Sequence, residues 1–108
     1  MTTDAIDMAA MQDAASRASR LMKVLSNPDR LLILCQLAQG ERRVGELEAL
    51  LGIVQPTLSQ QLTVLRDEAL VATRREGKHV HYRIDNAAVL SVIQVLYANF
   101  CGTEGHQA

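Results

Sequence analysis

Two groups of side chains in this sequence could carry chemistry. One is a pair of thiols, Cys35 and Cys101, separated by 65 residues; the other is a run of short amides and hydroxyls, Gln55, Thr57, Ser59, Gln60 and Thr63, set among leucines. A thiol reacts as its thiolate, attacking sulfur or binding metal, and it must be partly exposed to do so. Fully buried, the same residue is a small hydrophobe, so residue type alone leaves both uses open. The amides and hydroxyls suggest base edges. Gln can make a two-point hydrogen bond to adenine, Ser and Thr reach several bases, and the N-terminus of an approaching helix favours phosphate oxygens. Such a face is also ordinary for solvated surface, and its surroundings must decide.

Those surroundings follow from periodicity and punctuation. Pro56 suits the first turn of a helix, where its missing N–H has no partner to lose. Leu58, Leu62 and Leu65 then recur at i, i+4 and i+7, a core stripe that leaves the polar set and Arg66 on the outside or its flanks. Upstream, Val44 to Leu51 reads as a short helix closed by Gly52, and three residues lead from there to Pro56. A short helix, a tight turn and a polar-faced second helix make a helix-turn-helix. Downstream, period two on both sides of Glu76-Gly77-Lys78 predicts a β-hairpin with a basic tip formed by Arg74, Arg75 and Lys78. Charge at a hairpin can simply block edge pairing. Adjacency to the polar helix favours contact with phosphate or the minor groove. His79 and His81 share a strand face, but two ligands without a third do not make a metal site, and solvated or phosphate-facing imidazoles are expected.

The flanks read as helices. Residues from about Asp4 to Leu25 place Met8, Met11, Ala15, Ala18, Met22 and Leu25 at steps of three and four, a face suited to close packing within the chain or across a dimer axis. Asn27 caps a second helix starting at Pro28, with Leu31, Leu34, Cys35 and Ala38 on one face and an expected end at Gly40. Asn86 caps a last helix on which Leu90, Ile93, Tyr97, Phe100 and Cys101 share a face, before a frayed tail at 102–108. The fold class is mainly α with a small β-hairpin (α+β): helix, helix, helix, helix, strand, strand, helix, a winged helix-turn-helix in one domain spanning 1–108.

Composition sets bounds on this reading. At 48% apolar the 108 residues can bury a core, and with 3% aromatics that core must come from Leu, Val, Ile, Ala and Met. A net charge of -1 means that nucleic-acid binding must rest on a local basic face. Arg42, Arg43, Arg66, Arg74, Arg75, Lys78 and Arg83 supply one in mid-chain, whereas Asp4, Asp7 and Asp13 mark the first helix. No apolar run approaches the ~20 residues of a membrane span, and the acidic N-terminus does not resemble a secretory signal. A cytoplasmic protein without membrane partners is expected, with its thiols reduced by default.

The segments LSNPDRLLIL, VGELEALL and QPTLSQQLTVLRDEALVATRREGKHVHYRI resemble the ArsR family of bacterial repressors over about Leu25 to Ile84. The resemblance implies a homodimer joined by residues 1–26 and 86–101, a helix-turn-helix at 43–68 and a wing at 70–84. Two recognition helices would enter successive major grooves of a double-stranded inverted-repeat operator. The resemblance also implies base or backbone contacts from Gln55, Ser59 and Gln60; taken with the polar helix face and the basic wing, the expected DNA-binding set is Gln55, Thr57, Ser59, Gln60, Thr63, Arg66, Arg74, Arg75, Lys78 and His79. Two departures stand out. Ala69 replaces a common Gly, at about 1 kcal/mol if that position needs a positive φ. The familiar metal sites are also missing: Arg42-Arg43-Val44-Gly45-Glu46 stands where a Cys-x-Cys would be, and Asp85 has no downstream His until His106. No metal or cofactor is therefore expected.

The remaining pattern, one Cys in the second helix and one in the last, resembles the BigR and SqrR subgroup that responds to reactive sulfur species. It implies a repressor, not an enzyme, that binds its operator when reduced and releases it when persulfide or polysulfide chemistry bridges Cys35 and Cys101. A bridge of that span restrains the unfolded chain by about 4 kcal/mol in the chain-entropy model. A metal-responsive or generic thiol-redox or peroxide-responsive repressor is the alternative. A thiol–disulfide exchange enzyme is more distant, since there is no Cys-x-x-Cys.

Overall fold

The structure, a computed structural model, describes residues 7–101. Asp4, His106 and the tail at 102–108 lie outside the described residues. Helix α1 (Met8–Leu25) begins after Asp7, whose side chain accepts a hydrogen bond from the Ala9 N–H at 2.9 Å. This capping carboxylate sets the start of the helix at Met8. Helix α2 (Pro28–Leu37) starts as expected, with the Asn27 side chain accepting from the Arg30 N–H. It stops earlier than expected: Ala38 is the C-cap, and Gly40, at φ 149°, shapes the turn beyond it.

That turn leads into a strand the sequence reading lacked. Strand β1 (Arg42–Arg43) is two residues long and pairs with β3 (His79–Ile84), Arg42 opposite Tyr82 and Arg43 opposite His81. The hairpin partner β2 (Val71–Glu76) pairs with the other edge of β3, giving an antiparallel sheet in the order β1-β3-β2. The two-stranded expectation is corrected to three. Gly77 at the hairpin tip adopts φ 62°, where a side chain would be strained.

Helix α3 (Val44–Leu51) ends at Gly52, left-handed at φ 70°, and α4 (Thr57–Asp67) follows. Pro56 occupies the N-cap position of α4, one residue before the first helical residue, without a side-chain capping bond. Helix α5 (Ala87–Phe100) is capped by Asn86, whose side chain accepts from the Val89 N–H. This arrangement is a winged helix-turn-helix. Its core joins Ile33, Leu34 and Leu37 of α2, Leu47 of α3, Leu58, Leu62 and Leu65 of α4, Val71 and Tyr82 of the sheet, and Val89 and Ile93 of α5.

Three details alter what the core presents. Ala69 has φ 60°, so the position does need the left-handed region and the chain accepts the cost of a Cβ there, about 1 kcal/mol. The Leu70 N–H reaches back to the Leu65 carbonyl across it. The inward stripe of α5 is Val89 and Ile93, with Leu96 partly covered; Tyr97, Phe100 and Cys101, expected on the same face as Ile93, are exposed because the helix outruns the core. Residues 8–20 of α1 are also exposed, and only its last turns touch the core.

Candidate nucleic-acid interface and thiol pocket

Helix α4 holds its outer face by burying the other. Leu58, Leu62 and Leu65 are at most 1% exposed, which fixes the rotation of the helix about its axis. Gln55, Ser59, Gln60, Thr63 and Arg66 are thereby exposed, and Thr57 is half-buried. Not all are equally free. The Gln55 Oε1 accepts from the Ser59 N–H at 3.2 Å and from the Ser59 hydroxyl at 2.6 Å, so this side chain closes the N-terminal turn that Pro56 cannot cap. Its amide nitrogen remains available as a donor. The Thr63 hydroxyl donates to the Ser59 carbonyl at 2.9 Å. Gln60 makes no side-chain hydrogen bond among the described residues and is the amide most open to a base edge. Its neighbour Gln61 is tied inward, its Oε1 accepting from Arg30 Nη1 at 2.9 Å while Arg30 Nε donates to the Val24 carbonyl.

The wing divides its charges between the two faces of the sheet. Arg75 and Lys78 are exposed and enter no ion pair among the described residues. Arg74, adjacent in sequence, points to the opposite face, where it pairs with Glu41 at 2.8 Å and Glu76 at 3.4 Å. The Arg74 hydrogen bond is the main cause that holds the Glu41 carboxyl below the usual carboxylate range. His81 does not match the expected solvated imidazole: its side chain is 15% exposed, with Glu76 3.3 Å and Glu41 3.8 Å away. His79 is exposed, and its Nδ1 lies 3.4 Å from Arg43 Nη1. The contacts of Glu41 with Arg74 and of Arg43 with His79 join residues more than 30 apart in sequence, so local pattern does not reveal them. Among the described residues, no three His, Cys, Asp or Glu side chains converge as metal ligands.

The thiols sit elsewhere. Cys35, half-buried on α2, and Cys101, the exposed residue that caps α5, line one open cavity of about 460 Å³. Leu31, Leu32, Leu96, Tyr97 and Phe100 provide most of the rest of its wall. Both thiols are free. Burial chiefly, and then the charge of the nearby Cys101, push the Cys35 thiol above the usual cysteine range. Cys35 is therefore a reluctant thiolate, and Cys101 is the one open to solvent.

Comparisons with known proteins agree with the winged helix-turn-helix fold. Residues 27–73 match the model of the bacterial regulatory proteins of the arsR family. The biofilm growth-associated repressor of Agrobacterium fabrum is 50% identical over 99 residues, covering 92% of this chain and 85% of that protein. The crystal structure of the transcriptional repressor BigR from Xylella fastidiosa superposes with a TM-score of 0.81 at 45% identity, covering 89% of this chain and 98% of the other. A homodimeric winged helix-turn-helix DNA-binding domain from Mycobacterium bovis, described as a possible ArsR-family regulator, gives 0.69 at 34% identity, covering 100% and 98%.

Proposed function

Because this chain belongs to the ArsR family of bacterial regulatory proteins, we propose that it is a transcriptional repressor whose operator affinity is set by the oxidation state of Cys35 and Cys101. The observation that carries the reading is the common cavity: two thiols distant in sequence line one apolar wall between α2 and α5. DNA contact falls to Gln60, Ser59, the Gln55 amide, Thr57, Thr63 and Arg66 on α4, and to Arg75, Lys78 and His79 on the wing. A homodimer is supported by the apolar side chains that α1 and α5 leave in solvent, Met8, Met11, Met22, Val95, Tyr97 and Phe100, and by the homodimeric state of the Mycobacterium bovis domain. Two α4 helices related by a two-fold axis call for an inverted repeat in double-stranded DNA. No helix among the described residues is long and apolar enough to cross a membrane.

The effector is a low-molecular persulfide, RS–SH. The exposed Cys101 thiolate attacks its terminal sulfur, leaving a Cys101 persulfide and expelling the thiolate RS⁻. The Cys35 thiolate then attacks the inner sulfur of that persulfide, forming a disulfide and expelling hydrosulfide. Two thiols lose two electrons, and the products are one disulfide, the thiol RSH and hydrogen sulfide; a polysulfide donor would leave extra sulfur in the bridge. The bridge would draw the end of α5 onto α2. Helix α2 bears on the recognition helix through the shared leucine core and through Arg30 and Gln61, so its displacement reaches α4. Regulation needs only about 1–3 kcal/mol of coupling.

The test is DNA affinity by gel shift on an inverted-repeat duplex. The reduced protein should bind, persulfide should release it, and Cys35→Ser should bind but resist release. Release of Cys35→Ser to the same extent would remove the bridge from the mechanism.

A further inference from the structure

We propose that Glu41, Arg74 and Glu76 form a brace that sets the wing against the helix-turn-helix, so that Arg74 is a positioning residue and not a phosphate ligand; the proposal rests on the DNA-binding reading above. The guanidinium is engaged at all three nitrogens. Nε donates to Glu41 Oε1 at 2.9 Å and Oε2 at 3.1 Å, Nη2 lies 2.8 Å from Glu41 Oε1, and Nη1 lies 3.4 Å from Glu76 Oε1. To reach a phosphate it would have to leave two carboxylates. A single exposed ion pair contributes little, but a forked guanidinium shared between two carboxylates is the geometry in which such pairs do contribute.

Topology gives the network its effect. Glu41 precedes the edge strand β1, Arg74 belongs to the opposite edge β2, and β3 runs between them. With strands about 4.8 Å apart, the contact spans roughly 10 Å, the width of the sheet. His81 of β3 lies under it, paired in the sheet with both Arg43 and Arg74 and flanked by Glu41 and Glu76. Strand β1 continues directly into α3, where the Arg43 N–H donates to Glu46 at 2.7 Å. The hairpin is thus tied across its outer face to the segment that opens the helix-turn-helix. That tie fixes the angle at which Arg75 and Lys78 are presented relative to α4.

The experiment measures anisotropy of a labelled inverted-repeat duplex, selected from a random pool by the unaltered protein, with the full reduced chain across a KCl series. Arg74→Gln and Glu41→Gln should each lower affinity about two- to fivefold, the range expected for surface ion pairs, with the slope of log K against log salt unchanged. Arg75→Gln, in contrast, should flatten that slope by about 0.9 for each protomer, about 1.8 for a dimer on its duplex. If Arg74 were a phosphate ligand, Arg74→Gln would flatten the slope by the same amount. Glu41→Gln, which removes a negative charge and frees the guanidinium, would then strengthen binding. Either result overturns the brace, as does an unchanged affinity in one or both variants. Thermal melts confirm folding, and if Arg74→Gln fails to fold, the sign of the Glu41→Gln effect decides alone. An unaltered protein without salt-sensitive binding would overturn the DNA reading itself, an outcome distinct from a failure of the brace.

Discussion

Helices α4 and α5 carry the two sets of residues on which the account depends, and they are held in different ways. Helix α4 is anchored along its length by Leu58, Leu62 and Leu65, and its start is closed by Gln55. Helix α5 is anchored through Val89 and Ile93 in its first half; beyond them Phe100 is 81% exposed and Cys101 is open to solvent. A reading surface benefits from a fixed rotation, since a small turn of the helix would misplace every amide together. The proposed sensing end would need access and room to move, and an uncovered terminus supplies both. On the proposed function, the difference means that a thiol bridge would act on where α4 is placed, while the helix itself stays intact.

The largest expected effect tests the anchoring directly. Leu62→Ala should cost about 3 kcal/mol in chemical denaturation, because it leaves a cavity under the recognition helix. Phe100→Ala should change the stability of the single chain by less than about 0.5 kcal/mol and instead weaken dimerisation, seen as a dissociation midpoint shifted to higher protein concentration. Comparable losses from both would erase the contrast. A smaller effect is expected just after α4: Ala69→Gly should raise stability by about 1 kcal/mol by relieving a left-handed alanine, measured by the same denaturation.

At the other site the expected effect is on rate. Alkylation of Cys35 in Cys101→Ser should titrate with a midpoint above that of an ordinary cysteine, because burial is the main cause of the shift. The folded chain holds that proton more tightly than the unfolded chain does. Stability therefore declines as pH rises from the ordinary cysteine value through the elevated one. An ordinary midpoint would mean that the cavity does not shield the thiol.

The contrast also explains what could be read from residue order. Leu58, Leu62 and Leu65, the Asn27 and Asn86 caps, Gly52 and the alternation around Gly77 are local signals, and each of those elements forms where its pattern lies. Ala69 was legible as a strained position only through the family resemblance, in which a Gly is common there; its φ of 60° bears this out. Strand β1 was not, since Arg42 and Arg43 have neither length nor alternation and exist as a strand only through β3. The split between Arg74 and Arg75 likewise depends on Glu41, 33 residues upstream of Arg74. Helix α5 was misjudged at its end because periodicity reports which residues share a face but not how far the core extends beneath them. That Cys35 and Cys101 share a cavity is a tertiary fact, and only a resemblance to proteins with similar thiols could suggest it.

The most direct measurement is peptide mapping by mass spectrometry after persulfide treatment, on the fraction that has lost DNA binding. The account predicts one cross-link, within a single chain, between the peptides that carry Cys35 and Cys101, with mass corresponding to a disulfide or to a bridge with added sulfur. Separately capped thiols in that fraction, or a link only between chains, would contradict it.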